Sequence, residues 1–289
     1  MLGRSAGALN EIWYSAESCR SGEAAGIRFR LDDNVLYGVI DVEETAYRGS
    51  PLPLQQAAED AYRRIFALLD RESYPHLWRA WNYLADINVE RDGLERYRQF
   101  NIGRHDAFVV SGRLAQGNVP AACALGTTRG PLTIAFMAGR TAPTPIENPR
   151  QVSAYNYPNQ YGPRSPTFSR AAFAQLPGQE LLFISGTASI VGHQTLHVGD
   201  VAGQTRETLA NIAALLEAAS GRTRTTPYAM AELSLRAYIR HAEDYPSVQA
   251  IVEQQVGADA PVVYVQADIC RHDLLVEIEA MASHPLGNC

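Results

Sequence analysis

Lysine is missing from this chain: all 25 basic residues among its 289 are arginine. That excludes a Schiff-base lysine, a pyridoxal phosphate held through one, and a phosphate loop ending in Gly-Lys. Anions must instead be met by arginine, histidine or backbone N–H groups. Cysteine is scarce as well. Cys19, Cys123, Cys270 and Cys289 are spread over the whole length, at spacings that suit neither a zinc site nor a disulfide framework. Reduced thiols in a bacterial-type cytoplasm are therefore expected. There is no surplus of positive charge: the formal net charge is −6, no basic stripe is visible, and no nucleic-acid partner is expected. No run reaches the ~18 consecutive apolar residues of a membrane span. The opening MLGRSAGALNEIWYSAES also lacks the apolar core of a signal peptide, so neither a membrane partner nor export is expected. No G-x-G-x-x-G follows a strand and no G-x-S-x-G elbow occurs. A Rossmann-bound nicotinamide or flavin and an elbow serine are both unsupported.

What is present is a globular composition, 46% hydrophobic and 19% charged, sufficient for one large or two medium domains. The clearest helix is expected over 201–219, where Val201, Leu209, Ile212, Leu215 and Leu216 recur at three- and four-residue steps. Asp200 is placed to cap its start and Gly221 to stop it. A buried strand over 180–190 precedes it. An alternating strand over 231–240, a helix over 246–256 and strands over 261–267 and 274–281 follow. The first half reads as a strand over 34–42, a helix over 54–71 with Ala57, Ala61, Ile65 and Leu68 on one face, and a strand within 76–89. Further strands are expected over 107–112, 121–127 and 132–138. The similar order in both halves predicts an α/β (α+β) chain of two fused units, 1–145 and 146–289. Each would be a mixed sheet with helices on one face, joined through the proline-rich TAPTPIENPR at 141–150.

Four stretches carry a family resemblance: GLERYRQFNIGRHDAF (93–108), SAYNYPNQYGPRSPTFSRA (153–171), LFISGTASIVGHQTLHVGDVAGQT (182–205) and QADICRHDLLVEIE (266–279). FISGTASI, the segment QTRETLANI and the terminal VEIEAMA resemble the YjgF/RidA-like fold. Together, the four stretches resemble the chorismatases, a specialised relative built from two such units. Chorismatases carry a longer N-terminal segment, so the part played by that region here stays open. The resemblance implies a cofactor-free enzyme whose partner is the small molecule chorismate and which releases the enolpyruvyl group as pyruvate. The ring would leave as 3-hydroxybenzoate, as a dihydroxycyclohexadiene carboxylate, or as a mixture of 3- and 4-hydroxybenzoate. A fused pair of units implies a monomer or weak homo-oligomer. Two other classes stay open: a RidA-like enamine or imine deaminase, which would release ammonia, and a non-catalytic metabolite-binding protein.

Chorismate is a dianion, so a chain of negative net charge must concentrate arginine forks locally. Arg164 lies in a Tyr/Pro/Gly-rich loop with Tyr157 and Tyr161, which sets two phenols beside a guanidinium. The same arginine could equally tie the loop to a carbonyl. Arg240 ends a strand on one face with Arg236 and Tyr238, and offers either a second carboxylate fork or a solvated edge charge. Arg98 and Arg104 read as structural. In LLVEIEA, Leu275, Glu277 and Glu279 share one face. A carboxyl packed within a strand is desolvated, which favours its protonated form and lets it deliver the proton an enol ether needs at its methylene carbon. A salt-bridged strand glutamate is the alternative. The resemblance places the catalytic carboxyl at Glu277 rather than Glu279. It also makes Cys270, otherwise an inert core thiol, a group that steers the ring intermediate toward the aromatic acid and limits water. Ala188 would be its companion in shaping the pocket. Thr187, beside Gly186 and Ser189, offers donors to a carboxylate, and Tyr264 is assigned to the substrate as well. His193 and His197 are four apart but flanked by Gly192 and Gly199. They read as a loop, and no metal or cofactor is expected.

Overall fold

Buried and partly exposed residues alternate along Val35–Val42, as they must in a strand with one covered face. The same pattern recurs through a computed structural model that describes residues 1–3, 11–114 and 119–286. The chain divides into two units. The first comprises Ile12–Pro143 and Ala154–Phe168; the second comprises Met1–Glu11, Thr144–Ser153 and Ser169–Cys289.

In the first unit the elements are β1 (Arg20–Ala24), β2 (Ile27–Leu31), β3 (Val35–Val42), α1 (Pro53–Glu72), β4 (His76–Ala85), α2 (Arg96–Val110), β5 (Ala121–Thr127) and β6 (Leu132–Gly139). The strands lie in the order β1-β2-β3-β6-β4-β5, and β4–β5 is the parallel pair. Helix α1 buries Leu54, Ala58, Ala61, Ile65, Phe66 and Leu69, each worth on the order of 1–3 kcal/mol of transfer free energy for the larger side chains. Helices α1 and α2 cross closely at Gly103, where a Cβ would stand 2.1 Å from the Gln55 carbonyl oxygen. Only glycine fits there.

The strand expected over 107–112 is instead the end of α2. Val109 and Val110, the β-branched pair that suggested a strand, are 52% and 65% exposed. The buried stripe of α2 runs through Arg96, Phe100, Gly103, Arg104, Ala107 and Phe108. That spacing is helical, but much of the stripe is polar, and a search for apolar periodicity passes over it.

The second unit holds β7 (Thr144–Ile146), β8 (Ala171–Leu176), β9 (Gln179–Ala188), α3 (Val201–Ser220), β10 (Ser234–Ile239), α4 (Tyr245–Gln255), β11 (Val262–Gln266) and β12 (Val276–Pro285). Its strand order is β7-β8-β9-β12-β10-β11, with β10–β11 parallel. Apart from short two-residue strands and single-turn helices, the two units therefore repeat one topology, β-β-β-α-β-α-β-β. Asp200 caps α3 as expected, its Oδ1 accepting from the Gly203 N–H at 2.9 Å, and Gly221 follows its last turn. One face of the sheet, including Leu182, Ile184, Ala237, Val276 and Ile278, packs on Leu209, Ile212 and Leu215 of α3 to form the core. Among the described residues no helix is long and apolar enough to cross a membrane.

Candidate functional site

Strand β12 sits between β9 and β10, and period-two alternation divides its side chains. Val276, Ile278 and Ala280 turn to the helices, which leaves Glu277 and Glu279 on the opposite face. Glu277 lies across from Ala188 on β9 and Tyr238 on β10; Glu279 lies across from Arg236. Both carboxyls are buried, Glu277 being only 3% exposed.

The two acids have different surroundings. Glu279 Oε1 accepts from the Tyr238 hydroxyl and from Arg236 Nη1, each at 2.9 Å. Arg236 also pairs with Glu11. Burial opposes the charge on Arg236, but Tyr238, Glu279 and Glu11 outweigh it and hold the guanidinium firmly protonated. Glu279 is thus part of a buried ion-pair network. Glu277 Oε2 instead stands 3.8 Å from the Cys270 thiol, and a small apolar cluster of Ala188, Ile190, Ile269 and Leu274 packs against Cys270.

Cys270 is held in place by its loop. Arg240 Nε donates to the Leu274 carbonyl at 2.8 Å, and Nη2 donates to the carbonyls of Ile269 and Arg271 at 3.1 and 2.9 Å. Its Nη1 pairs with Asp268 at 2.8 Å. These bonds turn Arg240 onto the loop that carries Cys270. Gln204 of α3 grips the same loop from the helix side. Its Oε1 accepts from the Leu275 N–H at 2.7 Å and its Nε2 donates to the Asp273 carbonyl at 2.8 Å.

The structure thus brings Glu277, Cys270 and Ala188 together. Thr187 adjoins them in sequence, but its hydroxyl donates to the Ser185 carbonyl at 2.8 Å. Tyr264 lies on the other face of the sheet. It is in register with Ala237 and packs against the helix-side core, edge-on to Tyr245 with ring centroids 5.1 Å apart. Burial and the nearby Glu253 and Tyr245 push its phenol up to about 12. Arg164, Tyr157 and Tyr161 belong to the first unit. There the two tyrosine rings lie 5.3 Å apart, and Arg164 Nε is 3.5 Å from Asp106 with its side chain 53% exposed. His193 and His197 flank the Gln194–Thr195 strand of a short hairpin, with His197 Nε2 at 3.7 Å from Glu207. Nothing in the residue pattern marks Gln204 as a site residue. It is one of four polar side chains, with Thr205, Thr208 and Asn211, on the buried face of α3, so polarity on that helix does not by itself point to it.

Residues 11–138 match the family model described as chorismatase FkbO/Hyg5-like, N-terminal, and residues 167–284 match the endoribonuclease L-PSP model. The chain is 39% identical over 280 residues to a chorismatase of Streptomyces rapamycinicus, covering 94% of this chain and 82% of that one. It is 36% identical over 294 residues to a 3-hydroxybenzoate synthase of Streptomyces hygroscopicus, covering 97% and 83%. Among solved structures, a chorismatase crystal structure aligns with a TM-score of 0.84 at 37% identity, over 91% of this chain and 78% of the other.

Proposed function

The chain belongs to the chorismatase family, and from that premise we propose that it converts chorismate to 3-hydroxybenzoate and pyruvate, with Glu277 as the proton donor. The pairing of Cys270 with the buried Glu277 carboxyl at 3.8 Å carries the reading. A carboxyl withheld from water retains a proton to deliver. Glu277 delivers it to the methylene carbon of the enolpyruvyl ether. In the water-free branch the ring–oxygen bond of the oxocarbenium ion breaks to release pyruvate and the neighbouring ring hydroxyl takes the vacated carbon. Loss of one ring proton, which restores the acid, then leaves 3-hydroxybenzoate. In the other branch water adds to the oxocarbenium ion and the ring keeps its ether oxygen.

Atom balance separates the outcomes. Hydroxybenzoate and pyruvate together contain the atoms of chorismate and no others, whereas the diol and pyruvate require one added water. A dry surround therefore supports the aromatic acid. The side chains of Ala188, Ile190, Ile269, Leu274 and Cys270 form such a surround on the Glu277 side of the sheet. In this reading Cys270 steers the ring intermediate and limits water; it is not a covalent nucleophile. Arg164, with Tyr157 and Tyr161, is the proposed carboxylate fork of the first unit. Its ion pair with Asp106 is long and half-exposed, so a substrate carboxylate competes for it at little cost.

The test is to incubate the purified protein with chorismate, follow pyruvate through lactate dehydrogenase and separate ring products by chromatography. Pyruvate with 3-hydroxybenzoate is expected. Absence of pyruvate would overturn the reaction. The diol or 4-hydroxybenzoate as main product would overturn the aromatising assignment alone.

A further inference from the structure

Gln204 is fully buried on α3, where a leucine would satisfy core packing. Its carboxamide instead bonds to two main-chain groups two residues apart, the Asp273 carbonyl and the Leu275 N–H, much as a neighbouring strand would. Its Nε2 also reaches the His197 carbonyl at 3.3 Å. The residue between its two anchors, Leu274, is buried in the cluster that holds Cys270, and Glu277 lies two residues beyond the second anchor. Arg240 grips the Ile269, Arg271 and Leu274 carbonyls of the same loop. The separation between thiol and carboxyl is thus set by a loop clamped from two elements.

We propose that Gln204 is a positioning residue that sets where Cys270 stands beside Glu277, and thereby how the ring products divide. This rests on the reaction proposed above. Gln204 acts through the loop: with the clamp removed, Asp273 and Leu275 lose their partners, the loop relaxes, and water reaches the ring intermediate. The oxocarbenium ion then adds water, and the dihydroxycyclohexadiene carboxylate leaves beside pyruvate in place of hydroxybenzoate.

The experiment compares wild type, Gln204→Met, Cys270→Ala and the double variant with chorismate, reading pyruvate, the ratio of diol to hydroxybenzoate, kcat, KM and the melting transition. Gln204→Met is expected to raise the diol fraction roughly fivefold or more with KM within about twofold, and to add nothing in the Cys270→Ala background. Should Gln204→Met not fold, Gln204→Glu provides the same comparison, since it keeps the acceptor for the Leu275 N–H and loses the donor to Asp273. An unchanged product ratio in a folded Gln204 variant overturns the inference, as does an effect that persists beside Cys270→Ala. A wild type that releases no pyruvate instead overturns the reaction itself, so the two failures are distinct.

Discussion

Replacing Glu277 with glutamine removes the transferable proton of the carboxyl and keeps the size of the side chain. The side chain is 3% exposed, and the amide matches the carboxyl in volume, so core packing against Ala188 and Tyr238 is retained. The Cys270 thiol at 3.8 Å meets an amide of similar reach. Stability should therefore change by no more than about 1 kcal/mol, a melting shift of about 2–4 °C. The reaction should suffer far more. General acid catalysis is worth on the order of 10²–10⁴-fold, or about 3–5 kcal/mol of barrier. Because the missing proton is needed in the transition state and not for binding, the loss should fall on kcat with KM nearly unchanged. Pyruvate release coupled to NADH oxidation measures both parameters, and a thermal scan reports the fold. A variant within threefold of wild-type kcat would refute the assignment of Glu277, and so would a loss of rate explained by unfolding.

Cys270→Ala should leave pyruvate release within about tenfold of wild type while moving ring product toward the diol, read by chromatography; an unchanged ratio would remove the steering role. Glu279→Gln should do the reverse of Glu277→Gln. It leaves Glu11 as the carboxylate that pairs with Arg236 among the described residues and should lower stability by on the order of 1–3 kcal/mol, below the usual figure for breaking a buried pair because Arg236 is partly exposed. Its kcat should change by less than about tenfold, and a larger fall with intact melting would transfer the acid role to Glu279. Burial raises the Glu147 carboxyl above its ordinary 4.5, with Ser153 and Arg170 offsetting it in part. The folded state then binds the proton more tightly than the unfolded chain, so this contribution is present in acid and lost as pH rises through the raised value. Glu147→Gln should accordingly melt higher than wild type near neutral pH, with the gap closing toward pH 4.5; a gap constant with pH would refute this.

Much of this architecture could be read from side-chain pattern alone. The apolar steps along 201–219 and the Asp200 cap produce α3 because Leu209, Ile212, Leu215 and Leu216 share its buried face. Alternation in LLVEIEA divides β12 correctly because a strand between two partners obeys a strict period of two. What escaped is what depends on pairing or on buried polarity. The burial of Arg96 and Arg104 hides α2 from a hydrophobic count. Strands β1, β2 and β8 are short members of hairpins, too brief to show a period. Tyr264 falls on the helix side because of its register with Ala237, information that no local pattern contains. Arg240 was placed at a strand end, but its direction depends on a loop more than twenty-five residues away, Ile269–Leu274. Gln204 shows the same dependence: its partners lie beyond α4 and β11.

One fold occurs twice along this chain, yet acids occupy the face of the central strand turned from the helices in only one copy. Where β12 has Glu277 and Glu279, β6 has Thr133 and Ala135. Redundancy of this kind relaxes constraint unevenly. One copy can lose its acids without its shape collapsing, because the shared shape resides in backbone pairing and helix packing rather than in the residues that react. A saturation scan of the two strands should therefore show permissive exchange at Thr133 and Ala135 beside near-total intolerance at Glu277, an asymmetry that a single-copy protein has no means to display.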